Sequence, residues 1–149
     1  MQTVLEAAVE ANNIPGIKGL SFASLQEFNS FKDSFNYLDW PRNIIVPFAL
    51  DGVVEEHRTA EIINIQGWMI TRINQDTSDF RSLKIEPDFI EPMRKAARKF
   101  ILNLVDSDLT NPQVTNISYR IVPEYQFMDA HLFGVSYSFR WPINGRLCV

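Results

Sequence analysis

Cysteine and histidine are scarce in this chain of 149 residues, which holds one cysteine and two histidines. The single thiol, Cys148, excludes an intramolecular disulfide, so nothing points to an oxidising compartment. A structural zinc site takes about four cysteine or histidine ligands, which the chain's few widely separated ones do not supply. Glycine is also sparse, and Gly16 and Gly19 lack the lysine and strand context of a phosphate-binding loop. We therefore expect no metal and no cofactor.

Long apolar runs and a basic leader are also missing. No stretch approaches the roughly 18 uncharged apolar residues of a membrane-spanning helix. The first residues carry Glu6 and Glu10 and lack the basic start of a secretory signal. These absences predict synthesis in the cytosol and no membrane partner.

Charge and composition exclude other classes. The net charge of −4 argues against a protein that coats nucleic acid over its whole surface, although a local basic patch is compatible with it. Hydrophobic residues at 46% and charged residues at 21% are typical of folded chains and exclude disorder. The length predicts one domain over residues 1–149.

Three segments show helical spacing. Residues 4–11 follow a capping threonine, and Ser24 with Glu27 forms a capping box ahead of a phenylalanine-rich turn. The aromatic side of this second segment is expected to be core or subunit contact. Pro92 at a first-turn position introduces the long helix over residues 93–105. Its apolar stripe is Met93, Ala96, Ala97, Phe100, Ile101, Leu104 and Val105.

The remaining apolar segments predict strands. Residues 43–50 form a short buried strand, and Asp51-Gly52 is a turn pair from which an antiparallel strand would return. Residues 60–73 are a long strand in which Gly67 marks a bulge or bend. Residues 117–121 alternate until Pro123 interrupts them, and residues 133–141 alternate strictly. Residues 142–149 form a C-terminal tail.

This order of elements predicts an α+β fold. It is a mainly antiparallel sheet, packed on one face by the long amphipathic helix and the short N-terminal helix.

Two kinds of site are candidates. Arg94, Lys95, Arg98 and Lys99 form a basic cluster opposite the apolar stripe of the long helix. This cluster is either an ordinary solvated face or, repeated by symmetry, a positive band that meets acidic partners or phosphates without sequence preference. His131 with Asp129, at a sheet edge, is the candidate acid–base pair of a small α+β enzyme. His57 with Glu55 and Glu56 is a second such pair. Both pairs lie beside predicted turns, where solvated charged residues are common, so an ordinary surface role is the alternative for each.

Several segments, taken in order, carry a resemblance to a known family. They are Leu25-Gln26-Glu27-Phe28-Asn29, Trp40-Pro41 before Ile44-Ile45-Val46, Asp51-Gly52, the helix over residues 93–105 and the strand over residues 133–141. In length and element order the chain resembles the tail terminator and tail completion proteins, or neck ring proteins, of tailed bacteriophages. The resemblance covers most of the chain and includes no catalytic motif.

The resemblance implies a non-enzymatic virion protein that closes into a ring, a hexamer or a dodecamer, at the neck or tail. Its partners would be copies of itself, neighbouring neck or tail proteins and, through non-specific proximity, DNA. We assign subunit contacts to the charged turn near residue 56, to the polar loop over residues 74–84 and to the tail. The individual candidates are Glu55, Glu56, Arg58, Asp76, Asp79, Phe80 and Arg81. The alternatives are a monomeric adaptor that binds one protein and the small enzyme using His131 and Asp129.

Overall fold

The computed structural model describes residues 4–55, 58–73, 85–114, 116–128 and 131–143. The α+β fold is confirmed, with helices packed on a mainly antiparallel sheet. The helices are α1 (Val4–Ala11), α2 (Leu25–Phe31) and α3 (Glu91–Val105). The strands are β1 (Gly19–Phe22), β2 (Arg42–Ile45), β3 (Ala49–Glu55), β4 (Arg58–Arg72), β5 (Tyr119–Glu124) and β6 (Leu132–Ile143).

The described strands form one sheet in the order β1-β2-β4-β6-β5, and β3 lies beside β4 in line with β2. β4 and β6 pair continuously from Glu61–Ile143 to Arg72–Leu132 and form the centre of the sheet. The pairing of β1 with β2 is parallel, whereas the other pairings are antiparallel. β1 was not predicted, because its four residues are too few to show a period.

One face of the sheet packs against α1 and α3. The odd-numbered residues of β6 from Phe133 to Trp141 are buried there, which confirms the predicted alternation. The stripe of α3 meets them: Phe100 lies 5.8 Å from Tyr137, measured between ring centroids. Burying each large apolar side chain contributes about 1.5–3 kcal/mol, so this face supplies most of the driving force for folding.

The opposite face is covered over about half of the sheet by an aromatic layer. Its buried members are Phe28, Trp40, Ile44, Trp68, Ile70 and Leu132. Ser24 caps α2 by accepting a hydrogen bond from the Glu27 N–H, as the capping box predicts, and this fixes Phe28 over the sheet. The phenylalanines of this segment therefore belong to the core, and both faces of the sheet carry packed side chains.

The predicted turn at Asp51-Gly52 is wrong. Both residues lie inside β3, opposite Ile62 and Glu61, and the hairpin turns between Glu55 and Arg58 instead. β4 extends beyond the end of β2, so continuing β3 through Asp51-Gly52 pairs backbone groups that an early turn would leave unpaired. The Asn64 amide also donates a hydrogen bond to the Asp51 carboxylate across the pair.

The predicted bulge at Gly67 is also wrong, because the pairing of β4 with β6 passes through Gly67 without a shift. Glycine is needed there since a Cβ atom would collide with the Tyr137 hydroxyl and the Ile44 carbonyl oxygen. The register shifts instead between β2 and β3. The Val46 N–H donates to the Gln66 carbonyl and Ala49 lies opposite Asn64, so Pro47 and Phe48 face Ile65 alone. Such a bulge accommodates a proline, which has no N–H to donate.

Two prolines that were expected to end strands lie within them. Pro123 is paired with Val135 inside β5, which tolerates it because β5 is an edge strand. Pro142 and Ile143 continue β6, so the strand takes in the first two residues of the predicted tail over residues 142–149. Residues 144–149 lie outside the described ranges.

The long helix begins earlier than predicted. Pro92 is in the first turn of α3, as expected, but a π-helical turn over Glu86–Ile90 precedes it. The Glu91 N–H donates to the Glu86 carbonyl, five residues back. Pro92 has no N–H to give, and this wider turn relieves the contact of its ring with the preceding turn.

Candidate interaction surfaces

The outer side of α3 carries a basic face made of Lys95, Arg98 and Lys99, all of them exposed. Arg94, the fourth member of the predicted cluster, is half-buried and pairs with the Glu91 carboxylate. The helix presents these charges together because Ala97, Phe100 and Ile101 occupy its buried side. The structure thus brings the predicted cluster together, with three of its cations directed at solvent.

Arg42 is not an additional free cation. Its guanidinium lies 3.9 Å from the centre of the Phe35 ring and donates hydrogen bonds to the Asp39 carbonyl and the Ser21 hydroxyl, each at 3.3 Å. Burial lowers the pKa of Arg42, and the Asp39 carboxylate opposes that effect. This side chain holds the aromatic segment against β1 and is part of the fold.

A polar area occupies the rest of the sheet face that the aromatic layer leaves open. We call it the polar sheet face; its members are Asp51, Asn64, Gln66, Arg120, Ser136, Ser138 and Arg140. A shallow cavity of about 330 Å³ includes Asn64, Arg120 and Ser138 in its lining. The alternation of β4 and β6 marks most of these residues as non-core, but only the register places them side by side.

Charge on the polar sheet face differs between its two borders. On β3, the Asp51 carboxylate accepts a hydrogen bond from Asn64 and lies 4.0 Å from the Arg140 guanidinium. On β5, Arg120 is exposed and forms no ion pair with any residue in the described ranges. The β3 border therefore presents the Asp51 carboxylate, and the β5 border presents Arg120 with Glu124 four residues further along the strand.

The same two borders have backbone edges without a partner strand. Within the described chain, β3 pairs only with β4, and β5 pairs only with β6. Each strand therefore has hydrogen-bonding groups on its outer edge that another strand can join. The two edges differ in sequence and lie on opposite sides of the sheet.

A larger cavity, of about 490 Å³, lies beyond the C-terminal end of α3. Its Thr110 hydroxyl already has two partners: it donates to the Leu104 carbonyl at 3.1 Å and accepts from the Trp141 indole N–H at 2.8 Å. These bonds join the end of the helix to β6. The polar residue Thr110 in this cavity therefore has a structural role, which is to attach the end of α3 to the sheet.

One residue of the proposed His131–Asp129 pair and most of the predicted contact residues lie outside the described ranges. Asp129, Glu56, His57, Asp76, Asp79, Phe80 and Arg81 are outside them. Glu55 and Arg58 are paired through their backbones at the end of the hairpin, and their side chains are not described. The His131 carbonyl accepts a hydrogen bond from the Ile73 N–H at 2.8 Å, and His131 lines neither cavity above.

Neither a metal-binding cluster nor a membrane-spanning helix occurs in the described residues. No group of three or more histidine, cysteine, aspartate or glutamate side chains is arranged to hold a metal ion there. Among the helices in those same ranges, none has the length and apolar character needed to cross a membrane.

Comparison with known proteins gives no family. The chain matches no protein-family model, and neither a curated protein nor a solved structure matches it.

Proposed function

We propose that this chain is a structural virion protein of a tailed bacteriophage, made in the host cytoplasm and built into the neck or tail. It forms a closed ring as a tail terminator or head–tail connector, joins neighbouring rings and leaves a passage for DNA. The observation that carries the proposal is the pair of unlike open sheet edges, on β3 and β5.

Unlike edges favour a ring over a two-fold dimer. When one surface binds a different surface of the next copy, each added copy leaves the same two surfaces exposed, and a suitable rotation closes the series. A monomer would keep both edges open to solvent, where strand edges recruit other chains. Association of copies in a circle covers both of these edges.

The basic face of α3 supports the same proposal. A single copy presents only Lys95, Arg98 and Lys99 there, while its net charge is −4. In a ring these cations recur at regular intervals and create a local positive band despite the overall acidity. Such a band attracts phosphates without sequence preference.

The test is the oligomeric state of the full-length chain. Native mass spectrometry across a concentration series, with negative-stain electron microscopy of the same sample, should show rings of six or twelve copies, as the resemblance implies. A strict monomer at high concentration, both alone and with the neighbouring neck or tail proteins, would contradict the proposal. A monomer that forms a one-to-one complex with one of those proteins would support the adaptor function instead.

A further inference from the structure

We infer that neighbouring copies join by antiparallel pairing of β5 in one copy with β3 in the next, with Arg120 opposite Asp51. This inference rests on the proposed ring function and names its contact. The partner is a second copy of this chain, and the charges and apolar side chains of the two edges determine the register.

The strand directions fix the antiparallel orientation. β3, β4, β6 and β5 are neighbours in that order, and each adjacent pair is antiparallel. β5 therefore runs opposite to β3 within one copy. A second copy that continues the sheet in the same orientation places its β3 beside β5, again antiparallel, with the two faces of the sheet continuous.

The charges select one register. Arg120 and Asp51 both lie on the polar sheet face, so a continuous sheet can bring them directly opposite each other. Both side chains are exposed in the single copy, and Arg120 has no acidic partner within the described ranges. Opposite charges on directly paired residues stabilise strand association, whereas like charges oppose it.

The side chains of β3 and β5 on the helix-covered face of the sheet also fit this register. With Arg120 opposite Asp51, Ile121 faces Leu50 and Tyr119 faces Gly52 on the helix-covered side. Leu50 is 54% exposed and Tyr119 is 46% exposed, so both carry apolar surface that strand pairing would remove from water. Pairing covers Leu50 with Ile121, and the Tyr119 ring lies over a glycine, an arrangement that stabilises edge glycines.

Prolines limit the paired length at one end. The pairing continues through Val122 opposite Ala49. Beyond that point Pro123 would lie opposite Phe48, and Pro47 comes just before Phe48 in the chain leading into β3. Neither proline has an N–H, so no ladder extends past this point. In this register the paired segment therefore ends where Pro123 and Pro47 lack backbone N–H donors.

A disulfide between introduced cysteines tests the contact in the full-length chain. In a Cys148→Ser background, Arg120→Cys and Asp51→Cys are combined. Within one copy these positions are three strand spacings, about 14 Å, apart across the sheet and four residues, about 13 Å, apart along it, which is too far for a disulfide. Mild oxidation should therefore join only different copies and produce a ladder of covalent oligomers up to the ring on a denaturing gel.

The matched control replaces Arg120→Cys by Glu124→Cys and keeps Asp51→Cys. Glu124 is on the same strand and face but about 13 Å further along, so this pair should form little ladder. Rings without a ladder from the Arg120–Asp51 pair, or equal ladders from both pairs, would overturn the pairing and leave the ring function standing. A monomer in every sample would overturn both.

A charge exchange provides a second measurement that does not depend on cysteine chemistry. Arg120→Asp and Asp51→Arg should each raise the concentration for half-assembly about tenfold, because each places like charges opposite one another. The double variant restores the opposite-charge pair in every contact and should assemble like the parent. Failure of the double variant to recover, with its thermal unfolding unchanged, would overturn the inference.

Discussion

The Tyr137 hydroxyl in β6 donates a hydrogen bond to the side-chain oxygen of Asn43 in β2, and both residues are buried. The Asn43 amide in turn donates to the Asn13 side-chain oxygen at 3.4 Å, just after α1. These bonds cross beneath β4 where Gly67 leaves room for the phenol. A polar network of this kind stabilises one arrangement of the core, because each member left without a partner carries a desolvation cost.

Replacing Tyr137 by phenylalanine should therefore destabilise the protein. The Asn43 oxygen loses its buried donor, so Tyr137→Phe should lower the free energy of unfolding by about 1–3 kcal/mol. Urea denaturation followed by circular dichroism measures the change. Tyr125→Phe is the control, since Tyr125 is exposed, and it should alter stability little. Equal effects of the two substitutions would show that the Tyr137–Asn43 bond contributes nothing.

Alkaline pH should weaken the fold through the same residue. Burial raises the pKa of the Tyr137 phenol well above its ordinary value. Because the unfolded chain releases this proton near pH 10 and the folded chain retains it, the stabilisation is complete below that pH and is lost above it, by about 1.4 kcal/mol per pH unit. Denaturation at pH 8 and pH 11 should show a steeper loss in the parent than in Tyr137→Phe. Parallel losses would contradict this expectation.

Gly67→Ala should be strongly destabilising. The added methyl group would occupy the space of the Tyr137 hydroxyl and approach the Ile44 carbonyl oxygen, which belongs to the backbone and cannot rotate away. Overpacking of this kind costs about 1–3 kcal/mol. The neighbouring Gln66→Ala changes an exposed position on the other face and should be close to neutral in the same thermal unfolding measurement. A neutral Gly67→Ala would mean that β4 and β6 separate easily.

Phe28→Ala should show that the aromatic layer is core. Phe28 is fully buried and its ring centroid lies 5.6 Å from that of Phe31 and 6.3 Å from that of Trp40. Truncating such a ring costs about 3–5 kcal/mol. Leu38→Ala removes a side chain that is 77% exposed and serves as the control. If Phe28→Ala impaired assembly but left monomer stability unchanged, the layer would be a subunit contact instead.

The proposed ring should bind DNA through the basic face of α3. Lys95→Gln with Lys99→Gln should weaken binding to duplex DNA of any sequence, because two phosphate-attracting charges are removed from every copy. The slope of log affinity against log salt should fall by about 0.9 for each lysine that contacts a phosphate. Fluorescence anisotropy across a salt series measures both quantities. Lys18→Gln, an exposed lysine elsewhere, is the control, and an equal effect from it would exclude a role specific to α3.

Local periodicity explains what the sequence alone predicts well. The capping box at Ser24, the stripe of α3 and the alternation of β6 are set by residues within a few positions of one another, and each is confirmed. Asp51-Gly52 misleads because its local preference for a turn is outweighed by pairing with a distant strand. The bulge predicted at Gly67 is wrong for a similar reason. Glycine is required there because a Cβ atom would collide with Tyr137, seventy positions away in the chain.

The two candidate surfaces also differ in how far they could be predicted from local sequence. The basic face is local to one helix, so its residues could be named from spacing alone. The polar sheet face combines β3, β4, β5 and β6, and alternation says which residues share a side of a strand but not which strands are neighbours. The relationship of Arg120 to Asp51 depends on strand order, which the sequence pattern did not provide.

The position of Pro123 inside an edge strand has a consequence for newly made chains before they meet their partners. An uninterrupted border of free amides is a template on which unrelated chains stack into fibrils. Pro123 removes one amide from β5, so the template is broken before the strand ends. The outer edge of β5 thus lacks one amide donor, which hinders the stacking of further strands on it.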